Sequence, residues 1–134
     1  MSKLEIEAKV ENLNAVTEFI ETQLEAADCP MKIQMQIELA VEELFVNIAS
    51  YAYAPDTGLA VITAELTEGG VFRIVFEDSG VPYDPLAKPD PDVNLSAAER
   101  AIGGLGIFMV KKSMDNMYYE YRGGKNVLTV EKKL

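Results

Sequence analysis

Two residues one helical turn apart, Glu43 and Asn47, have side chains suited to metal and proton chemistry. The amide oxygen of Asn47 is a hard ligand of the kind that Mg²⁺ binds, while phosphates and waters fill the other positions. Because Glu43 precedes Asn47 by four residues, a helix places both on one face. The Glu43 carboxylate can then take a proton from a hydroxyl or water. Taken alone, Glu43 equally fits a helix acid that faces solvent.

Two further motifs have the chemistry that a purine and its phosphates require. In Asp78-Ser79-Gly80, the carboxylate can accept a hydrogen bond from the exocyclic amine of adenine, and the glycine lets the base approach the backbone. Gly103-Gly104-Leu105-Gly106 precedes a predicted helix, so its N–H groups can face phosphate oxygens at the positive end of the helix dipole. Each motif alone is also typical of an ordinary turn or a helix-packing contact. Together with Glu43 and Asn47, in this order, they predict a site for a Mg-nucleotide.

Composition limits the classes of protein to which the chain can belong. With 134 residues we expect one domain over residues 1–134. The net charge of −10 disfavours nucleic acid and anionic membranes as partners. The chain contains no histidine, which excludes a Ser-His-Asp triad, a histidine-ligated zinc site and a phosphohistidine intermediate within it. The single cysteine, the charged start and the lack of a long apolar stretch predict a cytoplasmic protein without a membrane span.

The hydrophobic pattern predicts the element order βααββαββ. Alternating apolar residues predict a first strand over residues 4–10, and Asn12 is placed to cap the helix that follows. The remaining predicted elements are a helix at 32–53, strands at 59–67 and 71–78, a helix at 105–114, and strands at 117–122 and 127–132. Residues 80–95 hold four of the six prolines, which predicts an irregular, lid-like loop. Hairpin-linked strands predict an α/β fold, a two-layer sandwich whose mostly antiparallel sheet has helices on one face.

Three stretches of the chain resemble the N, G1 and G2 boxes of the GHKL ATPases. They are Ala-Val-Glu-Glu-Leu-Phe-Val-Asn at 40–47, Phe-Glu-Asp-Ser-Gly at 76–80 and Gly-Gly-Leu-Gly-Ile-Phe-Met-Val at 103–110. Over nearly its whole length the chain is similar to anti-sigma factor serine/threonine kinases of the RsbW type. The resemblance implies the Bergerat fold, with a mixed, mostly antiparallel sheet and ATP held between the helices and the lid.

The resemblance also implies a role for each site residue. Asn47 is expected to bind Mg²⁺, Glu43 to act as the base and Asp78, with Gly80, to bind adenine. Phosphate contacts are expected from Gly103, Gly104, Leu105 and Gly106. Arg100, near these glycines, is the nearest candidate for a further phosphate contact, and Thr129 matches a position that often helps to hold the adenine.

The function implied is that of an ATP-dependent protein serine/threonine kinase that acts as an anti-sigma factor. Its partners would be a STAS-domain antagonist, which it phosphorylates, and a sigma factor, which it sequesters, often as a homodimer. One departure from the family is Tyr51, which stands where the family often has histidine and cannot carry a proton near neutral pH, since its unperturbed pKa is about 10. The alternative is a nucleotide-binding interaction module with little or no phosphotransfer. A detached histidine-kinase ATPase domain fits less well, because this chain lacks the histidine that such domains phosphorylate.

Overall fold

One antiparallel sheet organises the protein. The computed structural model describes residues 1–87 and 104–134. Within them, five strands lie in the spatial order β1-β2-β3-β5-β4, and every neighbouring pair is antiparallel. The strands are β1 (Ser2–Glu7), β2 (Leu59–Leu66), β3 (Val71–Asp78), β4 (Asn116–Arg122) and β5 (Lys125–Lys133).

The described residues form three α-helices, which pack on one face of this sheet. They are α1 (Leu13–Ala26), α2 (Met31–Asn47) and α3 (Gly104–Ser113), and a π-helical turn, Ile48–Ala52, continues α2. A 3-10 turn, Val10–Asn12, precedes α1. The predicted two-layer α/β sandwich is therefore confirmed, and the sheet of the described residues contains only antiparallel pairs.

The core lies between the helices and the inward-facing residues of the central strands. On β3, Phe72, Ile74 and Phe76 are buried in alternation with more exposed neighbours, as the two-residue repeat of a strand requires. The next residue in this inward-facing row is Asp78, which is also buried. The row of apolar residues therefore ends in a carboxylate. Other fully buried side chains of the core include Val16, Ile20, Leu24, Ile37, Val41, Leu44, Phe45, Ile62 and Val130.

Three local predictions were wrong. Strand β1 ends at Glu7 rather than near residue 10, because the chain turns there and the Lys9 N–H donates to the Glu7 carbonyl. Asn12 does not cap α1 with its side chain, since its Nδ2 donates instead to that same carbonyl at 2.9 Å. Regular α-helix ends at Asn47, and the predicted continuation to residue 53 is the π-helical turn. Of the predicted lid, residues 80–87 are described, and the remainder lies outside the described residues.

Candidate nucleotide-binding site

A pocket opens between the carboxyl end of α2, the ends of β3 and β5, and residues 81–85. Most of its lining is apolar, with a few polar groups, and the cavity that a water-sized sphere can occupy is about 50 Å³. Apolar walls with a few polar groups are typical of small-ligand pockets. The lining residues are Leu44, Asn47, Ile48, Tyr51, Ala52, Phe76, Asp78, Val81, Tyr83, Pro85, Ile107, Tyr119, Asn126 and Leu128.

Asp78 is the buried carboxylate of this pocket, with 6% of its surface exposed. Its Oδ1 accepts two hydrogen bonds, from Asn126 Nδ2 at 2.9 Å and from the Gly80 N–H at 2.9 Å. No hydrogen bond from the described residues reaches Oδ2. Because a buried carboxylate oxygen is stabilised by a donor, Oδ2 is available to a ligand that carries an N–H group.

Asn126 holds the start of the loop against the sheet. Its Nδ2 also donates to the Val81 carbonyl at 2.9 Å, and its Oδ1 accepts from the Tyr83 N–H at 3.0 Å and from the Tyr119 hydroxyl. Asn126 falls between the predicted strands at 117–122 and 127–132, and the sequence does not predict it as a site residue. Its signal is its position opposite Asp78 in the β3–β5 register, which a single sequence does not reveal.

Burial is the main cause that raises the pKa of Tyr119 above its ordinary value of 10, although a hydrogen bond with the Tyr83 backbone offsets part of this effect. The hydroxyl is therefore protonated at neutral pH and donates to Asn126. The side of the amide that carries Oδ1 thus meets two donors, and the side that carries Nδ2 meets two acceptors.

Gly80 allows the chain after β3 to pass close to the π-helical turn. An added Cβ would lie 2.5 Å from the carbonyl carbon of Ala52, and the Val81 N–H donates to the carbonyl oxygen of Ala52 at 2.9 Å. Gly80 therefore has a packing role that requires the absence of a side chain. Its predicted contact with the base stays a prediction.

Tyr53 links the loop after α2 to the same region. Its hydroxyl donates to the Leu59 carbonyl at 2.6 Å and accepts from the Ser79 N–H at 2.7 Å. Tyr51, by contrast, is 61% exposed and lies at the pocket wall. Of these two tyrosines, Tyr53 thus fixes the backbone beside Asp78, whereas Tyr51 is open to solvent and to a ligand.

Asn47 and Glu43 lie on one side of α2 but face different surroundings. Asn47 lines the pocket, whereas Glu43 lies in a groove between α2 and α3 together with Leu39, Gly106 and Met109. A Cβ on Gly106 would come within 3.0 Å of the Glu43 carboxylate, so the glycine gives this carboxylate its space. Glu43 is half-buried, and the neighbouring Glu42 is exposed.

The chain matches the histidine kinase-like ATPase domain family over residues 6–132. It belongs to the histidine kinase-like ATPase family. The three boxes noted in the sequence all lie within the matched range. Each contributes residues to the pocket: Leu44 and Asn47 from the first, Phe76 and Asp78 from the second and Ile107 from the third.

Individual relatives of this histidine kinase-like ATPase domain support the same assignment. The chain is 28% identical over 100 residues to the serine/threonine-protein kinase BtrW of Bordetella bronchiseptica, a match that covers 74% of this chain and 70% of BtrW. The crystal structure of the RsbU and RsbW domains of Rv1364c from Mycobacterium tuberculosis has a similar fold, with a TM-score of 0.69 and 17% identity, over 100% of this chain and 33% of that one. The predicted resemblance to the RsbW type is confirmed by these two matches.

A more distant structural relative is the histidine kinase domain of the blue-light activated histidine kinase EL346 from Erythrobacter litoralis. Its TM-score is 0.54 at 16% identity, over 79% of this chain and 46% of that one. The chain thus spans a third of the first structural relative and under half of the second. These two likenesses show the fold.

The lining of the pocket does not include every residue expected from the sequence. Thr129 pairs with Val75 of β3 and Tyr118 of β4, and it does not line the pocket. Because side chains alternate along a strand, its neighbour Leu128 faces the pocket and Thr129 faces the opposite side of the sheet. The expectation that Thr129 holds the adenine is therefore corrected, and Asn126, on the pocket side of the same strand, is the polar residue found there.

The glycine motif is described only in part. Arg100 and Gly103 lie outside the described residues. Gly104 and Leu105 form the first turn of α3, and Gly106 contacts Glu43. Phosphate contacts by this motif stay a prediction.

Asn47 is the pocket residue that the sequence predicts as a ligand of a divalent metal. Among residues 1–87 and 104–134, no three His, Cys, Asp or Glu side chains are grouped to hold an ion. Mg²⁺ that arrives with a nucleotide needs no such group, since phosphates and waters provide most of its ligands. The amide oxygen of Asn47 therefore fits Mg²⁺ as a companion of the nucleotide. No helix of the described ranges is long and apolar enough to cross a bilayer.

Proposed function

We propose that this chain binds Mg-ATP in the pocket and transfers its terminal phosphate to a serine or threonine of a STAS-type antagonist. In this proposal it is an anti-sigma factor kinase of a partner-switching system, cytoplasmic and homodimeric. The observation that carries the proposal is the buried Asp78 in a mostly apolar pocket. Its Oδ1 accepts two hydrogen bonds, and its Oδ2 accepts none from the part of the chain that the structure describes. The similarity to BtrW, a serine/threonine-protein kinase, supports the transfer step.

Adenine fits the chemistry of this pocket. Its exocyclic amine is a donor for Asp78 Oδ2, and its flat apolar faces match walls such as Ile48 and Leu128. Asn47 lines the same pocket from the last turn of α2, and its amide oxygen would hold Mg²⁺ there. The metal, when bound, neutralises charge on the phosphates.

Glu43 is the proposed base. It would accept the proton of the substrate hydroxyl while that oxygen bonds to the terminal phosphorus and the bond to the departing ADP oxygen breaks. Its place in the groove between α2 and α3, beside Gly106, means that the hydroxyl reaches it from the groove rather than through the base pocket. Phosphorylation of the antagonist would weaken its binding and free the kinase surface for a sigma factor.

The test compares two neighbouring glutamates. Glu43→Gln keeps the shape of the side chain beside Gly106 and removes the carboxylate, and Glu42→Gln makes the same change at an exposed position. With labelled ATP, Mg²⁺ and the STAS proteins of the same organism, Glu43→Gln should reduce transfer by about 10²- to 10⁴-fold, whereas ATP affinity stays near that of the unaltered chain. Equal transfer by the two variants would contradict the assignment of Glu43.

The second candidate is a nucleotide-binding interaction module without phosphotransfer. The observation that favours it is that Glu43 faces the α2–α3 groove and not the pocket that Asn47 and Asp78 line. The same assay separates the two functions. ATP binding by the unaltered chain with no label on any STAS protein would favour the module.

A further inference from the structure

Asn126 belongs to the polar cluster around Asp78, and the proposed chemistry does not use Asn126 itself. It is 6% exposed and lies on β5 opposite Asp78 of β3. Both of its polar atoms are saturated, Nδ2 by Asp78 Oδ1 and the Val81 carbonyl, Oδ1 by the Tyr83 N–H and the Tyr119 hydroxyl. It has therefore no free polar group for a ligand, and any effect on a ligand must pass through its neighbours.

The orientation of the Asn126 amide is fixed by the chemistry around it. A carboxylate and a carbonyl accept hydrogen bonds, so Nδ2 must face Asp78 and Val81. A backbone N–H and a protonated tyrosine hydroxyl donate, so Oδ1 must face Tyr83 and Tyr119. A flipped amide would place donors against donors and acceptors against acceptors.

We infer that Asn126 is a positioning residue that sets the preference of the pocket for adenine over guanine. By engaging Asp78 Oδ1, Asn126 and the Gly80 N–H leave Oδ2 as the one carboxylate oxygen open to a base. Adenine presents an amine donor on its six-membered ring where guanine presents a carbonyl acceptor. For a base bound in the orientation in which adenine donates its amine to Oδ2, this fixed acceptor attracts the amine of adenine and repels the carbonyl of guanine.

The same side chain also sets the wall of the pocket. Val81, Tyr83 and Pro85 line it, and Asn126 bonds the backbone of the first two. If Asn126 were only a structural support, its loss would loosen this wall for every nucleotide alike. If it positions Asp78, its loss affects adenine more than guanine. The ratio of the two affinities separates the two roles.

This inference rests on the proposed binding of ATP, and the experiment distinguishes them. Asn126→Leu keeps a similar shape without polar atoms, and Tyr119→Phe removes only the hydroxyl that bonds Asn126. The control is Asn116→Leu, at the far end of the neighbouring strand, where the amide makes one long contact of 3.4 Å to Glu131. Dissociation constants are measured for Mg-ATP and Mg-GTP on the full chain, with urea unfolding as the check of folding.

We expect Asn126→Leu to weaken ATP binding by about 10- to 100-fold, the equivalent of one hydrogen bond to a charged group, and GTP binding much less. Tyr119→Phe should lower the same ATP/GTP ratio by a smaller factor and remain folded, so that it tests the inference even where Asn126→Leu unfolds. Asn116→Leu should leave the ratio unchanged. If ATP and GTP binding weaken by the same factor, or if the ATP/GTP affinity ratio is unchanged in both Asn126→Leu and Tyr119→Phe, the inference is overturned and the proposed function is not. Failure of the unaltered chain to bind ATP would overturn the proposed function, and this inference with it.

Discussion

Replacement of Gly80 by alanine tests the contact between the loop after β3 and the π-helical turn. An ideal Cβ at this position lies 2.5 Å from the Ala52 carbonyl carbon, whereas ordinary van der Waals contacts begin near 3.4 Å. The neighbour is backbone, which cannot rotate away as a side chain can. The carbonyl oxygen of Ala52 lies closer still, so the loop and the turn must separate by more than about 0.9 Å, the difference between these two distances.

Such a separation breaks identifiable hydrogen bonds. The Val81 N–H lies 2.9 Å from the Ala52 oxygen and would pass out of hydrogen-bonding range. The Gly80 N–H, which donates to Asp78 Oδ1, moves with the same segment. One neutral bond contributes about 0.5–1.5 kcal/mol and one bond to a charged group about 1.5–3 kcal/mol, so we expect a loss of about 2–4.5 kcal/mol in the free energy of unfolding. ATP affinity should fall at least about tenfold, because Asp78 loses one of the two donors that fix it.

The matched control is Gly69→Ala, in the hairpin between β2 and β3, where a Cβ meets nothing within 4 Å. Both changes reduce the flexibility of the unfolded chain equally, so the difference between the two variants isolates the clash at Gly80. Urea unfolding and ATP titration of the two variants provide the measurement. If Gly80→Ala has the same free energy of unfolding as Gly69→Ala and its ATP affinity is unchanged, the reasoning is refuted.

Three further predictions concern residues around the site and on the helices. Tyr53→Phe removes the hydroxyl that joins the end of β3 to the start of β2, and urea unfolding should show a loss of about 1–3 kcal/mol. Gly106→Ala should keep or slightly raise stability, since alanine is the better helix former, but lower phosphotransfer because it displaces Glu43. Repulsion by Glu38 is the largest cause that raises the pKa of Glu21 above 4.5, so the folded state holds this proton more tightly than the unfolded chain and loses stability as the pH rises past 4.5. Near neutral pH, Glu21→Gln should therefore unfold at a higher urea concentration than the unaltered chain, and near pH 4 the two should unfold at the same concentration. An equal difference in urea concentration at both pH values would contradict this prediction.

Local sequence pattern predicted most of the secondary structure. The alternation of β3 gave its bounds at 71–78, and the helical periodicity of α2 gave its start within one residue. The π-helical turn after Asn47 could not be predicted in this way. Its last residue, Ala52, contacts the loop at Gly80, which is far away in the sequence, and local periodicity carries no information on such a contact.

Where chemistry and local motif coincide, sequence reasoning selected two residues that line one pocket, Asp78 and Asn47. Their roles in that pocket stay predictions. Asn126 and Thr129 show where such reasoning fails. The register of β5 with β3 decides which side of β5 faces the helices. This register places Asn126 opposite Asp78, although the two residues are 48 positions apart in the sequence. Without the register, the sequence predicts Thr129, which lies on the other side of the strand.

The glycines of the two motifs have packing roles that a ligand-based interpretation does not include. Gly80 gives space to the backbone of Ala52, and Gly106 gives space to the carboxylate of Glu43, so both let other elements approach α2 and its continuation. Loss of activity in a variant of either glycine is therefore no proof that the glycine contacts phosphate or base. A phosphate contact is better tested by comparing ATP, ADP and AMP affinities in Gly106→Ala: a backbone contact to the terminal phosphates weakens ATP more than AMP, whereas a displaced Glu43 changes transfer and leaves the three affinities in the same proportion.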